Sequence, residues 1–247
     1  MANWWHVSWK QVAIALAIVF AAMWLTGEAM KWLAPWKEAR SMVRDNPSVA
    51  EVPTVVPDQS LTPVSGVRID LYGLAIQTPW SAIGTVRTAT GVAYVPIPEQ
   101  PVEMVVYEPY TDSFARAMWD DVKASHNPSE KAASSNYGLM AAEMAATPDQ
   151  VKWWRKPSQN EANSFLLESK SMLLGNLRSI YVVNVNGFHG FQEGNPEVAP
   201  YGVRLDLFDS NDLHYQFRIV AKDSLKPILT QPQLNAIVAS LKPIRHS

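Results

Sequence analysis

The chain of 247 residues contains no cysteine. That removes disulfides, thiolate metal ligands and cysteine nucleophiles together, and it leaves the redox compartment open, because a cysteine-free chain is stable in either setting. Net charge is nearly absent as well, at -2. No basic surplus marks the chain for nucleic acid. The five histidines are scattered, with no pair at helical metal-ligand spacing. Neither a G-x-S-x-G elbow nor a Lys-Ser/Thr phosphate loop occurs. What is present in quantity is tryptophan, ten residues, and proline, eighteen.

Charge is missing altogether from Val12 to Gly27, which is almost entirely apolar. As a helix this run is about 24 Å long, somewhat less than the ~30 Å hydrocarbon core of a bilayer. Apolar character resumes at Ala29-Met30 and Trp32-Leu33-Ala34, and Glu28 and Lys31 can snorkel at the boundary. Trp4, Trp5 and Trp9 precede the run, and Trp24, Trp32 and Trp36 close it. Indoles bracketing an apolar helix form the aromatic belt of a transmembrane span. A cleaved signal peptide needs a more basic start and a small-residue exit, whereas here one lysine precedes the run and Trp-Leu ends it. The reading is an uncleaved single-pass anchor over residues 1–45. No GxxxG motif lies in the span to support self-association. Lys31, Lys37, Arg40 and Arg44 follow it, which by charge count keeps the C-terminal part cytoplasmic.

Residues 46–66 are rich in Pro, Val, Ser and Thr without helical period. They read as an extended tether, or alternatively as an edge strand or surface-hugging arm. Residues 67–247 form one globular domain. Val67–Leu71, Leu74–Trp80, Gly91–Ile97 and Val102–Tyr107 have strand character. Phe114, Ala117, Met118 and Val122 then recur at helical spacing behind Thr111-Asp112-Ser113. A second helix is predicted over Tyr137–Ala146. Thr147-Pro148-Asp149-Gln150 is a capping box that starts a short helix through Trp153-Trp154. A further helix over Asn160–Leu174 has an inward stripe of Ala162, Phe165, Leu166, Ser169, Met172 and Leu173, and Gly175-Asn176 stops it. Ile180–Val185 is a strand. Tyr201–Phe208 and Leu213–Ile219 alternate as a hairpin around Ser210-Asn211-Asp212. Thr230-Gln231-Pro232-Gln233 caps a closing helix whose core face is Leu234, Ile237, Val238 and Leu241. This order predicts the α+β class: an antiparallel sheet packed against helices, preceded by a single transmembrane helix.

The stretch NGFHGFQEG, Asn186 to Gly194, combines glycines with a histidine. Its spacing is not G-x-G-x-x-G and no helix follows, so it reads as a hairpin or loop. His189 and His214 have no adjacent nucleophile in sequence. A hydrolase reading needs one of them close to both a hydroxyl and a carboxylate. Asp120-Asp121 point apart on a helix, and Asp206/Asp209/Asp212 are discounted as well: Asp209–Asp212 resembles the start of a calcium loop but lacks its glycine and glutamate spacing, and reads as an acidic turn. Trp153-Trp154, with Lys152, Arg155 and Lys156, is an interfacial or partner-binding patch. No catalytic, cofactor or metal residue is assigned.

The segments VNVNGFHGFQEG, VRLDLFDSNDLHYQFRIVA and LTQPQLNAIVASLKPI, with YGLAIQTPW near the start, resemble the PsbP-like α/β domain of an extrinsic oxygen-evolving-complex protein and bacterial envelope relatives. The resemblance covers about half of the domain, and the insert 127–175 departs from it. It implies a binding or assembly module outside the cytoplasm, against the charge count. The expected function is therefore a single-pass accessory subunit of the plasma (inner) membrane. Its partners would be the lipid bilayer and a larger membrane protein assembly, not nucleic acid. A small-molecule or lipid-binding envelope module and a hydrolase with a dispersed site are the alternatives.

Overall fold

The computed structural model describes residues 9–56, 58–96, 102–110, 135–221, 226–227 and 229–244. Trp4, Trp5, Asp120-Asp121 and the predicted helix around Phe114 lie outside the described residues. In chain order the elements are α1 (Trp9–Asp45), β1 (Thr54–Val55), β2 (Arg68–Leu71), β3 (Leu74–Gln77), β4 (Ile83–Arg87), β5 (Gly91–Pro96), β6 (Val102–Tyr107), α2 (Asn136–Ala145), α3 (Pro157–Leu174), β7 (Ile180–Val185), β8 (Phe188–Glu193), β9 (Val203–Phe208), β10 (His214–Ala221), α4 (Gln231–Ser240) and β11 (Lys242–Pro243).

Strand alternation generates the main sheet. In β9, Val203, Leu205 and Leu207 point to one face and Arg204, Asp206 and Phe208 to the other. β10 answers in register, with Leu205 opposite Phe217 and Asp206 opposite Gln216. The order is β1-β7-β8-β9-β10-β6-β5-β4, antiparallel except for the parallel β1–β7 pair. One face packs Leu205, Leu207, Phe217 and Met104 against α4, through Leu234, Ile237 and Leu241, and against a small sheet of β11, β3 and β2. The opposite face packs Phe191, Phe208 and Ile180 against Met140 and Met144 of α2 and Leu174 of α3. The α+β reading and the closing helix as sheet cover are both found, while β4 was not foreseen.

NGFHGFQEG forms the β7–β8 hairpin. Asn186 and Gly187 both have positive φ, 49° and 85°, the signature of a two-residue type I′ turn, which Asn-Gly favours because it matches strand twist. Gly190 has another reason to be glycine. A Cβ there would lie 1.9 Å from the Asp206 carbonyl oxygen.

Two helical expectations need correction. The capping box at Thr147 is present, but it starts a single 3-10 turn, Pro148–Gln150, and Trp153-Trp154 lie in a turn beyond it. In α3, Met172 is exposed and Leu174 is buried instead. At about 100° per residue, Met172 lies roughly 160° around the helix from Leu174.

α1 does not end at the apolar run. It continues without a break to Asp45, and its second half packs on the domain. Residues 15–27 are exposed all round. From Trp32 onward a stripe of Trp32, Leu33, Trp36, Ala39, Met42 and Val43 is covered. Trp36, Ala39 and Met42 join Leu139, Ala146, Val151, Leu166 and Leu167 in one apolar cluster. Of the two readings of 46–66, the surface-hugging arm describes what is found. Val49 is buried in the same cluster, Thr54–Val55 pairs with β7, and the Asn235 amide of α4 donates to the Ser60 carbonyl at 3.1 Å. An extended segment with unpaired backbone groups is stabilised by lying along an edge that supplies partners.

Lys170 of α3 locks this arm. Its side chain is 0% exposed. Its Nζ donates to the Ala146 carbonyl at 2.8 Å and to the Glu51 carbonyl. Burial draws its pKa down to about 8, against the attraction of Glu51. The unfolded chain therefore holds more protons than the folded one between about pH 8 and the ordinary lysine value, so folding stability rises across that window. Lys170→Met removes this titration. Wild type should gain stability relative to Lys170→Met between pH 8 and pH 10, read by denaturant unfolding in detergent micelles. Lys170→Ala, which strands two carbonyls and opens a cavity, should cost about 2–5 kcal/mol at neutral pH.

Candidate functional site

Of the six tryptophans assigned to the membrane interface, Trp9 is the first residue of α1 and Trp24 stands exposed in its apolar half. Trp32 and Trp36 are half-buried. Trp36 packs in the α1–α3 seam, with the Arg40 guanidinium 5.9 Å from its ring. That indole therefore serves the joint between helix and domain.

Trp153 and Trp154 are 53% and 59% exposed and meet edge-on with ring centroids 5.5 Å apart. The turn that presents them is held by Asn160, which is fully buried in the first turn of α3. The Lys152 N–H donates to Asn160 Oδ1 at 3.1 Å, and Asn160 Nδ2 donates back to the Lys152 carbonyl at 2.8 Å. Lys152 Nζ lies 5.4 Å from the Trp154 ring centroid. Adjacent indoles on a rigid turn cannot both enter the core behind them, and here neither does.

Sequence reasoning missed a charge cluster on the face of the sheet that carries α2 and α3. The two-residue period puts Arg204 and Asp206 on one side of β9, and register adds Glu193 of β8 with His214 and Gln216 of β10. Asp206 accepts from Arg204 Nε at 2.5 Å and from Gln216 Nε2 at 3.0 Å, and lies 2.7 Å from His214 Nε2. Arg204 Nη1 donates to the Leu173 carbonyl of α3 at 2.7 Å. Its Nε lies 3.3 Å from Glu193 Oε2. Both carboxyls are 0% exposed.

Burial alone would push Asp206 up, but the Arg204 guanidinium and the His214 hydrogen bond hold it well below the usual carboxylate range. Glu193 goes the other way. Burial and the neighbouring Asp206 charge raise it well above the usual range, and Arg204 offsets only part of this. The geometry favours Asp206 as the anion paired with Arg204 and disfavours a second charge on Glu193. The only sequence signal is the in-register pairing of charged residues on what should be a solvent face.

The other sequence candidates resolve into structural roles. His189 packs edge-on to Tyr137, centroids 4.3 Å apart. His214 reaches a carboxylate and stacks on Phe208, and among the described residues no Ser or Thr hydroxyl hydrogen-bonds either ring. Asp209 Oδ1 accepts from the Asn211 and Leu213 N–H groups within its turn. Asp212 reaches out of that turn to the start of α2, accepting from the N–H groups of Asn136 and Tyr137. There it satisfies two orphan donors and places a negative charge at the positive helix end. Among the described residues no group of three His, Asp or Glu converges as a metal site.

One groove of about 460 Å³ borders the charge cluster. Its walls are the last turn of α3 with Met172 and Leu173 on one side, and Arg204, Gln216 and Arg218 of the sheet on the other.

Comparison of the chain with protein-family models, curated proteins and solved structures finds no match. The candidate sites therefore stand on their own geometry.

Because the folded Glu193 carboxyl titrates above its unfolded value, its contribution is fully present below about pH 4 and is lost as pH rises towards its folded pKa. Glu193→Gln is neutral at every pH. The stability of Glu193→Gln relative to wild type should be smallest near pH 4 and grow in favour of the variant towards pH 8. Asp206→Asn leaves Arg204 without its main counter-charge and should cost about 3–5 kcal/mol. Denaturant midpoints at the two pH values check both.

Proposed function

We propose that this protein is a single-pass, membrane-anchored accessory subunit whose domain binds or stabilises a larger membrane protein assembly. The observation that carries the reading is the construction of α1. Residues 15–27 are exposed on every side of the helix, including Ile18, Val19, Phe20 and Leu25. In water this would be a large apolar surface with nothing to cover it. In a bilayer it is the ordinary exterior of a spanning helix, with all backbone groups satisfied internally. The same helix is then built into the folded domain.

The PsbP-like resemblance belongs to this proposal. It is supported by the sequence of antiparallel hairpins and by a closing helix over one sheet face. It carries with it a non-enzymatic assembly role and a domain on the extracytoplasmic face of the plasma (inner) membrane. Against that orientation stands the count of Lys and Arg after the span. The groove beside Arg204 and Arg218 favours a second reading, a small-molecule-binding envelope module, because its mixed apolar and guanidinium walls suit a small anionic ligand.

Purification in mild detergent should bring the chain out with partner membrane proteins in fixed ratio. A lone monomer under the same conditions counts against the subunit role. A C-terminal reporter after Ser247 should be active only outside the cytoplasm, and a reporter active in the cytoplasm reverses the orientation.

A further inference from the structure

We infer that the Trp153-Trp154 turn is a second lipid contact, seated in the headgroup region of the leaflet from which α1 emerges. Its two indoles face the acyl boundary, and Lys152, Arg155 and Lys156 face anionic headgroup phosphates. This rests on the reading of α1 as a membrane anchor.

The helices set the height of the turn. α1 and α3 pack together and run in the same direction. Just past the end of α1, Asn46 Nδ2 donates to the carbonyl of Gly175, just past the end of α3, at 2.9 Å. Further back from that contact on both helices, Trp36, Ala39 and Met42 of α1 share a cluster with Ala162, Phe165 and Leu166 of α3, and Arg40, five residues before the end of α1, lies 3.9 Å from Asp149 in the segment that leads into α3. The 18 residues of α3 measure about 27 Å. Counted back from the Asn46–Gly175 contact, the start of α3 stands level with about residue 28 of α1. A crossing angle of 20–50° moves that level by about six residues at most. Residues 15–27 of α1 are exposed all round, and the covered stripe is established from Trp32. The Glu28–Lys31 ion pair, 2.6 Å, lies in the transition. Among the described residues, the domain therefore reaches along α1 to the edge of the fully exposed stretch, and the turn that precedes α3 lies there.

Chemistry selects lipid as the occupant. Indoles with one apolar face and one N–H donor concentrate at the membrane interface. Three cations lie within five residues of sequence, and Asp149, the nearest acid before them, faces Arg40. Cations next to outward-facing indoles match an anionic lipid surface. The Asn160 hydrogen bonds fix the turn in shape, so seating it orders little further chain. A protein partner would have to approach the same spot through the headgroup layer.

The cysteine-free chain makes the test direct. Full-length Trp154→Cys, Val19→Cys and Val198→Cys variants are labelled with an environment-sensitive fluorophore. They are reconstituted into phosphatidylcholine vesicles containing phosphatidylglycerol. Val198 lies near the Gly175 end, away from the span. The expected result is blue-shifted emission and several-fold weaker iodide quenching at 154, close to the values at 19, with 198 freely quenched. Lys156→Cys, which leaves both indoles in place, should show the same protection. Omitting phosphatidylglycerol should reduce protection at 154 and leave 19 unchanged. If 154 and 156 are quenched like 198 while 19 is protected, the lipid contact is wrong and the anchor stands. If 19 is quenched as well, anchor and contact fall together. Protection at 154 that appears only when native membrane proteins are present overturns the lipid assignment in favour of a protein partner.

Discussion

One helix presents two kinds of surface. Residues 15–27 of α1 meet their surroundings with exposed, largely apolar side chains on every face, which on the proposed anchor reading is what a bilayer demands. The second half of α1 carries the one-sided stripe of a helix on a protein core. The change falls around Glu28 and Lys31, within one turn, and the backbone runs through it without a break. A flexible tether would let the domain explore many orientations over the membrane at the entropic cost of ordering it each time it binds. A shared helix removes that freedom during folding. The position of α3, and with it of the Trp153-Trp154 turn, along α1 follows from the packing of Ala39 and Met42 on α3.

Apolar stripes alone tolerate sliding, and the buried charges oppose it. Lys170 finds acceptors only where Glu51, Ala146 and α3 meet, three segments distant in sequence. Arg204 ties the floor of the sheet to the last turn of α3 through the Leu173 carbonyl. A slip of α3 by one turn would leave Lys170 desolvated with no partner and would take the Leu173 carbonyl away from Arg204, which is far costlier than losing a few van der Waals contacts. Charges that stabilise little in themselves thus select one packing among several that are nearly equivalent for the hydrophobic effect.

What was legible in the sequence was local. Asn186-Gly187 identifies its own turn, because few dipeptides accept two positive φ angles in succession. The alternation of Val203 to Phe208 against His214 to Ile219 sets both strands and their register. Thr230 and Gln233 mark the start of the closing helix through a reciprocal pair of hydrogen bonds. What was hidden depends on contacts between distant segments. Lys170 and Glu193 look like solvated residues, since lysine and glutamate are rarely buried. Their burial is decided by a neighbouring layer that leaves no local trace. The 46–56 arm reads as a linker because its partners, Ser179, Ile180 and Tyr181, lie some 125 residues away. Trp36 reads as an interfacial indole because composition cannot distinguish a lipid boundary from a protein seam.

The same distinction moves the boundary between anchor and domain. By composition the anchor ends near Asp45, where the helical pattern gives way to prolines. By packing it ends about 14 residues earlier, at the last turn that the domain leaves uncovered. α3 makes the difference, because it is a polar helix in an interior position. Asn160, Ser164 and Lys170 are buried along it, and Ala162, Phe165 and Leu166 face the cluster that Trp36, Ala39 and Met42 complete. A helix of that composition cannot by itself bury enough apolar surface to hold a layer in place. It stays because α1 covers it from outside and the sheet from inside. The second half of α1 is therefore the outermost layer of the domain, and on the proposed anchor reading the membrane begins where that layer runs out of protein to cover.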